Sequence, residues 1–156
     1  MSNVVEAPLN LNTLPGHLAR RFHQISTALF DAEMRKAGID LTSVQFAALI
    51  AVRDNPRIDQ ATLASIIALD RTTIGGVVDR LVDKGLMTRV TSDTDRRARV
   101  LTANERGMAT IHMAEPAMRR AQSVLVGDLD RDETAELMRL MGKVVDALGD
   151  VTRGTR

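Results

Sequence analysis

The 156-residue chain contains no cysteine. That absence excludes a disulfide framework, a thiolate metal site and a thiol redox switch, and with them oxidant sensing through cysteine. No run of about 18 uncharged apolar residues occurs, which argues against a membrane span. The N-terminus Met1-Ser2-Asn3-Val4-Val5-Glu6 lacks the basic-then-apolar order of a secretory signal, so a cytoplasmic protein is the expectation. Three scattered histidines make a poor metal set without cysteine. Serines and histidines occur, but no nucleophile elbow or triad-like signature accompanies them. No catalytic site, metal or cofactor is therefore expected, and a small all-helical enzyme is the weakest reading.

What is present suits one domain with a packed core, at 17.0 kDa and 44 % hydrophobic residues. The net charge of +1 says little, whereas its distribution says more. Between Arg71 and Arg106 eight basic residues face five acidic ones, giving +3, and between Gly127 and Asp150 three basic residues face seven acidic ones, giving −4. One part of the molecule thus attracts phosphates while another repels them.

Residues 1–12 show no periodicity and read as a flexible arm. Thr13-Leu14-Pro15 opens a helix, with Thr13 as the expected cap and proline tolerated in the first turn. Leu14, Leu18, Phe22, Ile25 and Leu29 recur at helical spacing up to Gly38. Thr42-Ser43-Val44-Gln45 forms a capping box before a nearly all-apolar helix that Asn55-Pro56 closes. Asp59 caps a short helix over Gln60 to Ile67, and a break follows near Ala68-Leu69. Asp70 then caps Arg71 to Lys84, with Gly85 ending that helix. Leu86 to Thr91 and Arg97 to Thr102 are strand candidates around the turn Ser92-Asp93-Thr94-Asp95. Thr102-Ala103-Asn104-Glu105 predicts another capping box, opening a long helix towards Val126 that Pro116 should kink. Asp130 to Glu133 predicts a third box, before an apolar stripe of Leu137, Leu140, Val144 and Leu148 that ends at Gly149.

The expected fold is mainly α with a small β-hairpin wing: a winged helix-turn-helix flanked by long dimerisation helices. Residues 41–102 would form the DNA-binding lobe, and 13–38 with 103–150 the dimerisation helices, in a single integrated domain. The outer helices bear more apolar surface than a monomer needs, including Ile111, Met113, Met118, Val124, Leu125, Leu137, Met138, Leu140 and Met141. Two copies would also match the spacing of successive major grooves, about 34 Å apart.

From Leu41 to Gly107 the sequence resembles the MarR family of winged-helix transcription regulators. The matching pieces, in order, are Leu41-Thr42-Ser43-Val44-Gln45-Phe46, Leu69-Asp70-Arg71-Thr72-Thr73-Ile74, Asp79-Arg80-Leu81-Val82-Asp83-Lys84-Gly85-Leu86, Asp95-Arg96-Arg97, and Leu101-Thr102 with Gly107. The resemblance implies a homodimer, usually a repressor, released from a palindromic operator on double-stranded DNA by a small ligand, often an aromatic acid or phenol. Hydroxybenzoates, cinnamates and hydroxynicotinate are all compatible. An architectural or silencing DNA-binding protein that ignores small molecules is the competing reading.

A helix in the major groove presents its N-terminal residues to base edges, and Arg71, Thr72 and Thr73 occupy that end. Ile74, Val77, Val78 and Leu81 should face the core. Gly75-Gly76 departs from the family's usual polar or basic side chains. Either bare backbone allows close approach to DNA or the position has drifted, and the sequence leaves both open. Arg80 suits a phosphate. In the wing, Arg96, Arg97 and Arg99 lie within four residues, with Arg97 at the family's position for minor-groove insertion. Asp95 would brace an arginine, Arg89 or Arg97.

In the first helix, His17, Arg21 and Gln24 share one side. They adjoin the apolar Leu18, Phe22 and Ile25. A fixed cation beside an apolar wall is what an aromatic carboxylate requires. The expected effector site comprises His17, Arg21, Phe22 and Gln24, with Phe46 and Leu49 as wall and Arg20 as the alternative anchor. A solvated face or intersubunit salt bridges would explain the same residues.

Overall fold

The structure, a computed structural model, describes residues 9–92 and 99–149. Its first element is a single 3-10 turn, Leu11–Thr13, closed by Asn10, whose side chain accepts from the Asn12 N–H at 3.0 Å. Thr13 does not cap the helix that follows, because its hydroxyl is turned back onto the Asn10 carbonyl at 2.9 Å. Leu14 is the boundary residue, and α1 runs Pro15–Lys36. It ends at Gly38, whose φ of +70° suits a residue without a Cβ.

Helix α2 (Ser43–Asp54) opens with the expected capping box of Thr42 and Gln45 and is mostly buried. Phe46 meets Phe30 of α1 with ring centroids 5.8 Å apart. A short strand that the sequence reading missed, β1 (Ile58–Asp59), precedes α3 (Gln60–Ile66). Two residues are too few to show a period of two. Asp59 caps α3 as expected. Ala68, at φ +55°, turns the chain into α4 (Arg71–Asp83), and the two helices meet at 105°.

The hairpin consists of β2 (Met87–Thr91) and β3 (Arg99–Ala103); the expected start of the second strand, Arg97, lies outside the described residues, and its end runs one residue past the expected Thr102. With β1 it makes an antiparallel sheet in the order β1-β3-β2, in which Ile58 and Arg89 both pair with Leu101. The second expected capping box is corrected: Thr102 pairs with Thr88 in the sheet, and Asn104 caps α5 (Glu105–Leu125) by accepting from the Gly107 N–H at 2.9 Å. Helix α5 continues through Pro116. Leu49, Leu63, Ile74, Leu81, Met87, Leu101 and Ile111 bury fully, so one core joins α2, α3, α4, the sheet and α5. Ile111, expected among the surplus apolar residues, belongs to that core.

The chain divides after Gln122 into two compact units. The second contains α6 (Arg131–Leu148), opened by the expected box of Asp130 and Glu133 and with no buried residue. Met138, Leu140, Met141, Val144, Val145 and Leu148 are all exposed. No single helix among the described residues is long and apolar enough to cross a membrane.

Candidate nucleic-acid interface and effector groove

Helix α4 turns Ile74, Val77, Val78 and Leu81 into the core, which leaves Arg71, Thr72, Thr73, Gly76, Asp79 and Arg80 exposed on the other side. Its first turn is fixed by Asp70. That carboxylate accepts from the Thr72 and Thr73 N–H groups at 2.9 and 2.8 Å and from their hydroxyls at 2.5 and 2.7 Å. The threonine protons are thus engaged, and the methyls and oxygen lone pairs remain to meet a ligand. Arg71 stands exposed beside them.

These bonds, first those from the two hydroxyls, hold the Asp70 carboxyl well below its ordinary value of 3.8. A depressed folded-state value stabilises the ionised protein above the unfolded value and loses that effect as pH falls towards the folded one. The stability difference between the wild type and Asp70→Asn is therefore expected to be constant from neutral pH to about 5, and to shrink only below the unfolded carboxyl value of about 3.9. Urea unfolding at a series of pH values checks this. A difference already shrinking between pH 7 and 6 would contradict it.

Gly75 and Gly76 have room for a side chain: a Cβ at Gly75 meets only Gln60 Nε2 at 3.6 Å, and one at Gly76 meets nothing within 4 Å. At the far end of α4, Lys84 donates to the Asp40 carboxylate at 2.7 Å and to its carbonyl, tying the helix to the α1–α2 loop. In the hairpin, Arg99 Nη1 donates to the Thr91 hydroxyl at 3.2 Å, at the root of the wing. Arg96 and Arg97 lie outside the described residues, as does Asp95. Arg89 pairs with Asp79 of α4, a partner the sequence reading did not anticipate.

On α1 an open groove of about 470 Å³ is lined by Arg20, His23, Gln24, Thr27, Ala28 and Asp31. Of the residues expected in an effector site, it brings together Arg20 and Gln24. His17, Arg21 and Phe22 are elsewhere on the helix. Phe46 and Leu49 are core residues, Leu49 with no accessible surface. His23, Thr27 and Asp31 were missed, although they follow Arg20 at i+3, i+7 and i+11, the spacing of one helix face. Beyond the groove, Glu33 is 8 % exposed and accepts from Arg120 of α5 at 2.9 Å and Lys36 at 2.5 Å. Those two cations, Lys36 first, lower its carboxyl below the usual range.

Two short helices at 105°, a second helix with a capped and exposed N-terminus, and a hairpin beside it define a winged helix-turn-helix protein. The profile of the MarR family matches residues 41–98. The transcriptional repressor NicR of Pseudomonas putida is 31 % identical over 140 residues, covering 90 % of this chain and 87 % of that one. Among solved structures, the PcaV transcriptional regulator from Streptomyces coelicolor in complex with its natural ligand is 34 % identical, with a TM-score of 0.80 over 90 % of this chain and 98 % of the other. A structure describing regulation of the DNA binding of Bordetella bronchiseptica BpsR by 6-hydroxynicotinic acid is 27 % identical, with a TM-score of 0.83 over 90 % and 99 %. The chain belongs to the MarR family of transcriptional regulators.

Proposed function

We propose that this protein is a homodimeric repressor that holds a palindromic operator through α4 and the wing and releases it when an aromatic carboxylate binds on α1. The observation that carries the reading is the capped N-terminus of α4, with Arg71, Thr72 and Thr73 exposed. In this reading Arg71 contacts a guanine edge, Thr72 and Thr73 approach neighbouring bases, and Arg80 meets a phosphate. Gly75 and Gly76 lie against the groove. Arg96, Arg97 and Arg99 carry the wing's contacts, with Arg97 in the minor groove. The protein works on cytoplasmic DNA.

The dimer is favoured by the unpartnered apolar residues of α6 together with Leu18 and Ile25 of α1 and Met113 and Val124 of α5, all exposed in the single chain. Sedimentation at micromolar concentration is expected to give about twice the chain mass of 17.0 kDa. A folded monomer there would contradict the dimer.

For the effector, Arg20 is the cation placed to take a carboxylate, with His23, Gln24 and Thr27 as hydrogen-bonding groups further along. BpsR responds to 6-hydroxynicotinic acid, and a hydroxylated aromatic or pyridine carboxylate is the class we assign here. Binding shifts the dimer only by the ligand's difference in affinity for its two states, about 1–3 kcal/mol of coupling. Arg20→Ala is expected to leave operator affinity within about twofold and to raise the ligand concentration for half-release by about tenfold or more, as befits a lost charge-assisted bond. Arg21→Ala supplies the neighbouring control. If neither substitution moves that concentration in an anisotropy titration, the effector binds elsewhere.

A further inference from the structure

We infer that Arg89 and Asp79 form a clamp that neutralises a carboxylate on the DNA-facing stripe of α4 and holds the wing strand to that helix. The inference rests on the DNA-binding reading above. Thr72, Gly76 and Asp79 succeed one another at i+4 and i+3, so they lie along one exposed stripe. Asp79 sits seven residues beyond Thr72, about 10.5 Å along the axis. A free carboxylate there would confront a duplex carrying one phosphate charge per about 1.7 Å. Helix α4 would be a poor reader of DNA with that charge exposed.

Arg89 removes it. It lies at the middle of β2, and its Nη2 donates to Asp79 Oδ1. The Arg89 side chain is 30 % exposed and that of Asp79 61 %. Arg89 Nε is buried and finds no hydrogen-bond partner among the described residues. A guanidinium solvated at a surface would satisfy that group with water. Here the arginine is drawn under the edge of α4 to reach Asp79. The pair also spans the corner between α4 and β2, whose pivot is Gly85 at φ +68°. The bonds from Asn104 to the Gly85 and Leu86 carbonyls hold the start of that corner, and the pair adds a tie between α4 and the middle of β2. Arg89 is thus a positioning residue rather than a DNA contact.

The test is a double-mutant cycle on a duplex that the wild type selects from a randomised library. Arg89→Gln, which leaves Asp79 unneutralised, is expected to lose about tenfold in affinity, within the range for coupled contacting groups. Adding Asp79→Asn should recover binding to within about threefold of the wild type, with an unchanged salt slope. Equal losses in the single and double variants, or a slope about one unit shallower in both, would make Arg89 a phosphate contact and overturn the clamp. No loss in Arg89→Gln would overturn it as well. Should Arg89→Gln fail to fold, Arg89→Lys keeps a cation within reach of Asp79 and is expected to stay within about threefold of the wild type; a tenfold loss there would overturn the clamp. A wild type that selects no duplex overturns the DNA-binding reading itself, a result separate from any outcome of the cycle.

Discussion

Gly107→Ala is expected to destabilise the protein by about 3 kcal/mol, the upper part of the range for overpacking a rigid site. A Cβ at Gly107 would lie 2.1 Å from the Leu86 carbonyl oxygen and 3.1 Å from its carbon. The obstacle is backbone, which cannot rotate aside as a flexible side chain would. Relief would have to move the start of α5, where Asn104 donates from its amide to the Gly85 carbonyl at 2.9 Å and accepts from Gly107 at the same distance. The Asn104 N–H also reaches Leu86 O, so the junction of α4, β2 and α5 loosens together. Gly76→Ala makes the opposite case, since nothing lies within 4 Å of its Cβ, and it should stabilise α4 by about 0.5–1 kcal/mol. Urea midpoints at unchanged slope measure both. A wild-type midpoint for Gly107→Ala would contradict the close approach. Operator affinity in Gly76→Ala separates the two meanings of the glycine pair: a loss assigns it to backbone contact with DNA, and no loss to drift.

The second large effect is on recognition. Arg71→Ala is expected to remove about 1–3 kcal/mol of discrimination at one base pair of each half-site, the magnitude of a bidentate arginine–guanine contact. Arg97→Ala is expected to behave differently, weakening every sequence alike and lowering the salt slope by about one unit. Selection from a randomised library, followed by titration across salt concentrations, measures both quantities on the same variants. Equal loss on all sequences for Arg71→Ala would remove it from base readout.

These two sites differ in how far the sequence revealed them. Caps and helix ends were legible because they are local: Asp59, Asp70, Gly38, Gly85 and the boxes at Thr42 and Asp130 act within four residues of themselves. The buried face of α4 was legible for the same reason, through the spacing of Ile74, Val77, Val78 and Leu81. Competition between elements was not. Thr102 fits a capping box by spacing, but the register of β3 opposite Thr88 takes it into the sheet and leaves the cap to Asn104. Strand β1 is held by its pairing with Leu101, 43 residues beyond Ile58, and two residues carry no periodic signal. Asp79 was missed as a partner of Arg89 because it lies ten residues back in the chain: β2 runs back beside α4 and brings it within reach. The apolar stripe of α1 hid the groove in a related way. Attention to Leu18, Phe22 and Ile25 set the helix phase around His17 and Arg21, whereas the open surface falls on Arg20, His23, Gln24 and Thr27.

The central claim is that this winged helix binds DNA and lets go when an aromatic acid binds. Its most direct test is fluorescence anisotropy of a labelled duplex, selected by the protein from a randomised library, with 6-hydroxynicotinic acid and a hydroxybenzoate titrated into the preformed complex. The account predicts saturable release by at least one of the two acids, with salt-dependent binding in their absence. Binding that neither acid alters at millimolar concentration would contradict the effector part and favour an architectural role, and failure to bind any selected duplex would contradict the account as a whole.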